Sequence, residues 1–124
     1  FRSMGAKIAK PHRQVVAVCG DGSFQMSMCE LGTICQHKVP VKIIVMENGR
    51  LGMVREVQDR LYEGRHMATI LDGDPDFVAL AKAYGIRSAR AESNAEARRL
   101  AAEMLECQEP YILVCRVDPE TPTI

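Results

Sequence analysis

Gln14-Val15-Val16-Ala17-Val18-Cys19, closed by Gly20-Asp21-Gly22, is the stretch on which the fold turns. It is a short, non-alternating apolar run rich in β-branched residues, the pattern of a strand buried on both faces of a parallel sheet. A second run of this kind, Val41 to Met46, ends at Glu47-Asn48-Gly49. Between them, Phe24 to Lys38 has the length of a crossover helix, with Met28, Leu31, Ile34 and Cys35 spaced as an apolar stripe. Strand, turn, helix and strand in this order make a βαβ unit, since parallel neighbours need such a crossover.

The rest of the chain repeats the alternation. Asp74-Pro75-Asp76 opens a helix, with Asp74 as N-cap and Pro75 at the first helical position. Phe77, Leu80, Ala81 and Tyr84 form its apolar face, and Gly85 stands where a C-terminal cap belongs. Ile86 to Ala91 is a weaker strand. Ser93-Asn94-Ala95-Glu96 has the spacing of a capping box and leads an amphipathic helix with Ala97, Leu100, Ala101, Met104 and Leu105 on one face. Pro110 ends it before a last buried strand, Tyr111 to Val117. The expectation is an α/β domain: a doubly wound, mostly parallel sheet with helices on both faces. Arg50 to Gly73 interrupts the pattern as a helix-containing loop in which Leu51, Val54, Val57 and Leu61 are helically spaced; connections of that length are usually functional or mobile.

Composition bounds the function. The 124 residues suit one domain, and sixteen Lys plus Arg balance sixteen Asp plus Glu. With 47% hydrophobic residues, this excludes a polybasic nucleic-acid binder and an acidic disordered tail. No window approaches the roughly 18 apolar residues of a membrane helix. Five cysteines without a C-x-x-C pair suggest neither a disulfide framework nor a zinc site, which fits a reducing cytoplasm. Phe1-Arg2-Ser3-Met4 reads as the remnant of a cleavable tag, so the domain is taken as residues 5–124.

Ligands of open parallel sheets bind outside the carboxyl ends of the strands. Gly20-Asp21-Gly22-Ser23 and Glu47-Asn48-Gly49 both fall there, Asp21 and Asn48 standing 27 residues apart. A carboxylate and an amide oxygen are hard ligands suited to Mg²⁺, which completes its shell with phosphate oxygens and water. Gly20 and Gly22 let the backbone approach a phosphate, and Ser23 with the amides after it lies at a helix N-terminus. Alone, a glycine-rich turn is common and Asp21 reads as a helix cap; the asparagine at this distance is what raises a metal site above that reading.

GDGS followed by that asparagine resembles the thiamin-diphosphate-binding motif. Gly20 to Phe24 (GDGSF), Glu30 to Thr33 (ELGT), Asn48 with Arg50 to Val54 (N-x-RLGMV) and Asp74 to Ile86 (DPDFVALAKAYGI) resemble the C-terminal domain of the acetolactate synthase large subunit. The resemblance runs from about Gly5 to Val117. It implies the thiamin-diphosphate-binding fold, slightly truncated at its N-terminus, with Mg²⁺ held by Asp21, the Asn48 side chain and the main-chain oxygen of Arg50. Gly20, Gly22, Ser23, Gly52 and Met53 would complete the cofactor contacts, with Met53 near the thiazolium and the substrate. The implied chemistry is attack of the cofactor's carbanion on a 2-oxo acid, with the thiazolium accepting the electrons released on decarboxylation. The resemblance places the activating glutamate in a pyrimidine-binding domain of a partner subunit, so this fragment carries no catalytic residue of its own. It also implies a homo-oligomer, and any FAD would be bound by a middle domain rather than here.

One residue departs from the family pattern. The tryptophan common nine residues after the asparagine, at the substrate channel, is Val57 here, which keeps another thiamin-diphosphate decarboxylase or carboligase in view. A Mg²⁺-binding receiver-like signalling domain is a more distant alternative, because it wants an acidic cluster and a late lysine where this chain has Asn48 and Arg116. His12, His37, Arg98 and Arg99 read as solvated or capping residues and Glu30 as structural; Met26 and Met28 read as core by default, with the thiazole side as the alternative, and His66, in the long loop, is left open between a surface and a site role.

Overall fold

Val16–Gly20 (β1) and Lys42–Glu47 (β2) pair in parallel with Val18 opposite Ile44, and Asp21 and Asn48 follow at their carboxyl ends. The structure, a computed structural model, describes residues 2–122. Arg87–Ala91 (β3) and Tyr111–Arg116 (β4) complete a four-stranded parallel sheet of order β1-β2-β4-β3. The doubly wound expectation holds, since the helices divide between the two faces. Asp21–Gln25 (α2), Glu30–His37 (α3) and Phe77–Ala83 (α5) cover one face, where Phe24, Leu31, Ile34, Ile43, Val45, Phe77, Ile112 and Val114 form the larger core. Asn94–Glu106 (α6) covers the other, packing Leu100 and Met104 on Ala91, Tyr111 and Leu113.

Position in the sheet decides how apolar a strand is buried. β4 is interior and buries four consecutive residues, Tyr111 to Val114, on both faces. β1 lies at the edge, and α6 packs chiefly on β3 and β4. Val16 and Val18 therefore stay 39% and 65% exposed, and the expectation that β1 is buried on both faces fails. Lys42 is buried at the start of β2 because its Nζ donates to the carbonyls of Cys107 and Glu109, which close the turn between α6 and β4. Its burial lowers the ammonium pKa from the ordinary value.

Several local expectations are corrected. The crossover is two helices, because Ser27 N–H bonds Phe24 O and Glu30 N–H bonds Ser27 O in tight three-residue steps between α2 and α3. Cys35 consequently leaves the apolar stripe and faces solvent. The cap of α5 is Asp76, whose carboxylate accepts from Val78 and Ala79, so Pro75 precedes the helix and Asp74 does other work. Gly85, at φ +67, supplies the left-handed residue after α5. Ser93 accepts from Glu96 N–H as expected, but Glu96 reaches back to Glu92 N–H. Leu105, placed on the apolar face of α6, is 42% exposed. Apart from these corrections, Arg2–Ala9 (α1) is the first described helix, and Met4 packs against the larger core.

The long loop contains Gly52–Leu61 (α4), as its spacing suggested, yet none of the residues in α4 is buried. Leu51 N–H bonds Thr69 O and Leu71 N–H bonds Gly49 O, so the segment closes on itself as a short antiparallel bridge. Among the described residues no helix is long and apolar enough to cross a membrane.

Candidate functional site

Asp21 is the first residue of α2 and 1% exposed. Its Oδ1 accepts the Gly22 N–H at 2.8 Å, while Oδ2 accepts from Asn48 N–H at 2.9 Å and Gly49 N–H at 2.7 Å. The parallel pairing of β1 with β2 makes this meeting unavoidable, because both turns leave the same edge. Asn48 Oδ1 accepts from Arg50 N–H at 3.0 Å, a tight side-chain turn, and Gly49 at φ +64 allows the reversal. Since Gly49 and Leu51 supply the bonds to residues 69–71, Arg50 turns its own carbonyl to the opposite side of that bridge. Asp21 and the Asn48 to Arg50 turn are thus tied together at one edge of the sheet.

The cradle about Asp21 fits a phosphate-bearing ligand in part. Gly20 has open space where a Cβ would stand, whereas a Cβ on Gly22 would lie 2.6 Å from Leu51 Cδ2. Ser23 is exposed. Contrary to expectation, α2 is little more than one turn, too short for a substantial helix dipole, and single backbone amides are what remain to meet an anion. Met53 and Val57, both on α4, are 64% and 48% exposed, and Gly52 opens that helix without a side-chain cap.

The sequence reading missed Asp74 as a site residue. Gln25 Nε2 donates to Asp74 Oδ1, and the Asp74 carboxyl lies within hydrogen-bonding reach of Asp21. Burial and the neighbouring Asp21 push its pKa up to about 6, with Glu47 adding to the rise. Asp74 Oδ2 is buried without a hydrogen-bond partner. The signal was present in the Asp-Pro-Asp repeat, since one cap leaves the other acid without a task.

Also missed was the Glu47 to Arg90 ion pair at the carboxyl ends of β2 and β3, with Asp76 Oδ1 at 3.4 Å from the same guanidinium. Burial works against the Arg90 charge, but Glu47 and Asp76 outweigh it and raise the pKa. These groups line a cavity of about 550 Å³ that begins at Asn48 and Asp74 and runs toward Arg116. Arg90 stands at a strand's carboxyl end, where the rule for parallel sheets directs attention.

The remaining candidates are peripheral. His66 Nε2 lies 2.6 Å from Asp59 Oδ1, and this contact holds the Asp59 pKa below the usual range. His12, His37, Arg98 and Arg99 are exposed, Met28 packs on the core, and Met26 is 80% exposed and so not core. Among the described residues no three His, Cys, Asp or Glu side chains converge as a metal cage, which a site built from one carboxylate, an amide and a carbonyl would not require.

A parallel α/β sheet with an Asp-to-Asn turn at its carboxyl edge is the arrangement of a cofactor-binding domain. The family described as thiamine pyrophosphate enzyme, C-terminal TPP binding domain, matches residues 2–115, and the chain belongs to that family. It is 41% identical over 119 residues to a probable acetolactate synthase large subunit of Methanococcus aeolicus, covering 96% of this chain and 20% of that protein. It is 44% identical over 116 residues to the acetolactate synthase of Arthrospira platensis, covering 93% and 20%. The chain thus spans about a fifth of the length of these curated relatives. Among solved structures it resembles the thiamine diphosphate-dependent 4-hydroxybenzoylformate decarboxylase of Rhodococcus jostii RHA1, with a TM-score of 0.86 and 31% identity over 94% of this chain and 22% of that one.

Proposed function

We propose that this chain is the diphosphate- and Mg²⁺-binding domain of a longer, cytoplasmic acetolactate-synthase-like enzyme. The observation that carries the reading is the Asp21 carboxylate seated on the Asn48 and Gly49 amides at the adjoining ends of β1 and β2. In this reading Asp21, the Asn48 side chain and the Arg50 carbonyl hold the ion. Gly20, Gly22, Ser23 and Gly52 offer backbone to the diphosphate, and Met53 and Val57 on α4 face the substrate side. When bound, the cofactor supplies the electron sink for decarboxylating a 2-oxo acid. This domain's residues bind and orient it; the group that activates it lies in a pyrimidine-binding domain of a partner subunit in a homo-oligomer, and FAD, where used, lies in a middle domain. The 124-residue chain, taken as one domain over residues 5–124, is therefore inactive alone.

The reading is tested on the full-length protein. Thiamin diphosphate should bind only with a divalent ion, Asp21→Ala should abolish that binding, and pyruvate should yield acetolactate. Binding without a metal ion would overturn the site assignment. Val57, half-exposed where the family commonly has tryptophan, favours a second reading with the same cofactor and another 2-oxo acid as substrate. Turnover of an aromatic 2-oxo acid without acetolactate formation from pyruvate would establish it. The receiver-like alternative is set aside by the family match.

A further inference from the structure

The Asp74 carboxyl lies within hydrogen-bonding reach of Asp21. Gln25 on α2 fixes one Asp74 oxygen, Oδ1, and leaves the other, Oδ2, buried without a hydrogen-bond partner. A carboxylate only accepts, so two in contact need a proton or a cation between them. Of the two guanidinium groups on the cavity wall, Arg90 is committed to Glu47 and Asp76, and Arg116 pairs with Glu92. Capping does not explain Asp74 either, because Asp76 caps α5. The donor set of Asp21, Asn48 and the Arg50 carbonyl carries a single formal negative charge. A second carboxylate at its margin would raise its affinity for a divalent ion.

We propose that Asp74 is a further carboxylate of the cation site, held toward Asp21 by Gln25 and serving the divalent ion or its bound water. The inference rests on the reading of Asp21 and Asn48 as the ion's ligands and adds a residue that reading does not use. It assigns Gln25 a positioning role, since its amide is what orients the Asp74 carboxyl. Partners that orient metal-binding groups commonly change metal affinity by about 10- to 100-fold when lost.

The test titrates the full-length protein with the Mn²⁺–thiamin diphosphate complex, following water-proton relaxation, so that turnover is not needed. Asp74→Asn keeps an acceptor for Gln25 and removes the charge. It is expected to weaken binding by about tenfold or more, with its thermal unfolding midpoint no lower than that of the unchanged chain. Gln25→Leu should weaken binding in the same direction. If Asp21→Ala abolishes binding while Asp74→Asn alters it by less than about threefold, the role of Asp74 is overturned and the Asp21 site stands. If Asp21→Ala also leaves binding unaltered, or the unchanged full-length protein does not bind the complex, the site reading itself falls and this inference with it.

Discussion

The Phe24 and Phe77 rings meet edge to face, their centroids 5.3 Å apart and their planes at 84°. Phe24 follows the Gly20 to Ser23 turn and Phe77 follows Asp74 to Asp76, so this contact joins the two segments that carry Asp21 and Asp74. Both side chains are fully buried. Phe77→Ala should cost about 3–5 kcal/mol of stability. Chemical denaturation measures it, and a loss under about 1 kcal/mol would show that the contact does not hold these segments.

Asp74 gives a pH dependence of unusual sign. Its folded pKa of about 6 lies above the ordinary carboxylate value, because of burial, Asp21 and Glu47, with the Gln25 amide opposing the rise. The folded chain therefore binds the proton more tightly than the unfolded chain. The Asp74 contribution to stability is full below about pH 4 and is lost as pH rises through about 6. With metal removed by EDTA, Asp74→Asn should be the more stable at pH 7 by about 1 kcal/mol after discounting for solvent screening. The advantage should shrink toward pH 4. An advantage that grows on acidification would contradict the placement of Asp74 against Asp21.

Gly22 is constrained by what lies above it. A Cβ there would meet Leu51 Cδ2 at 2.6 Å and Leu71 Cδ1 at 3.3 Å, both flexible side-chain ends. Gly22→Ala should consequently fold, at a cost of about 1–3 kcal/mol, with the shift absorbed by the bridge between residues 49–51 and 69–71. Nuclear magnetic resonance shift changes should concentrate at Leu51, Thr69 and Leu71. Changes confined to β1 would show that these leucines do not cover the glycine.

What could be read from the chain beforehand followed the range of the interactions. Val15 to Cys19 and Val41 to Met46 announce parallel strands through local composition, and pairing them brings Asp21 to Asn48 without further information. The exposure of Val18 depends on β1 standing at the sheet edge, to the side of the strands on which α6 chiefly packs, which no local pattern encodes. The break at Ser27 depends on three-residue bonds that compete with the helix. Asp74 and Asp76 both satisfy the pattern of a cap, and only the positions of Gln25 and Asp21 in space assign one to α5 and the other to the site. Glu47 and Arg90 are 43 residues apart, and β4 inserting between β2 and β3 is what brings these strand ends into register.

The segment from Arg50 to Asp72 offers the last test. α4 buries none of its residues, and Val54, Val57 and Leu61 lie uncovered along it. Polar contacts fasten it: Arg55 reaches Pro119 O, Glu120 and Asp59, Arg50 pairs with Glu120, Gln58 bonds Met67, and the Arg50 to Ile70 bridge closes its base. A helix without a buried face draws little stability from packing, so its amides should exchange with solvent far sooner than those of β2 and β4. Under the proposed function, thiamin diphosphate and a divalent ion engage Arg50, Gly52 and Met53. Adding both to the full-length protein should therefore slow exchange in this segment more than in α6, which stands on the other face of the sheet. Hydrogen exchange read by mass spectrometry follows both segments at once. Slow exchange across residues 50–72 in the absence of ligand would mean that another part of the protein covers α4, and that the uncovered stripe of Val54, Val57 and Leu61 packs there instead of facing the cofactor.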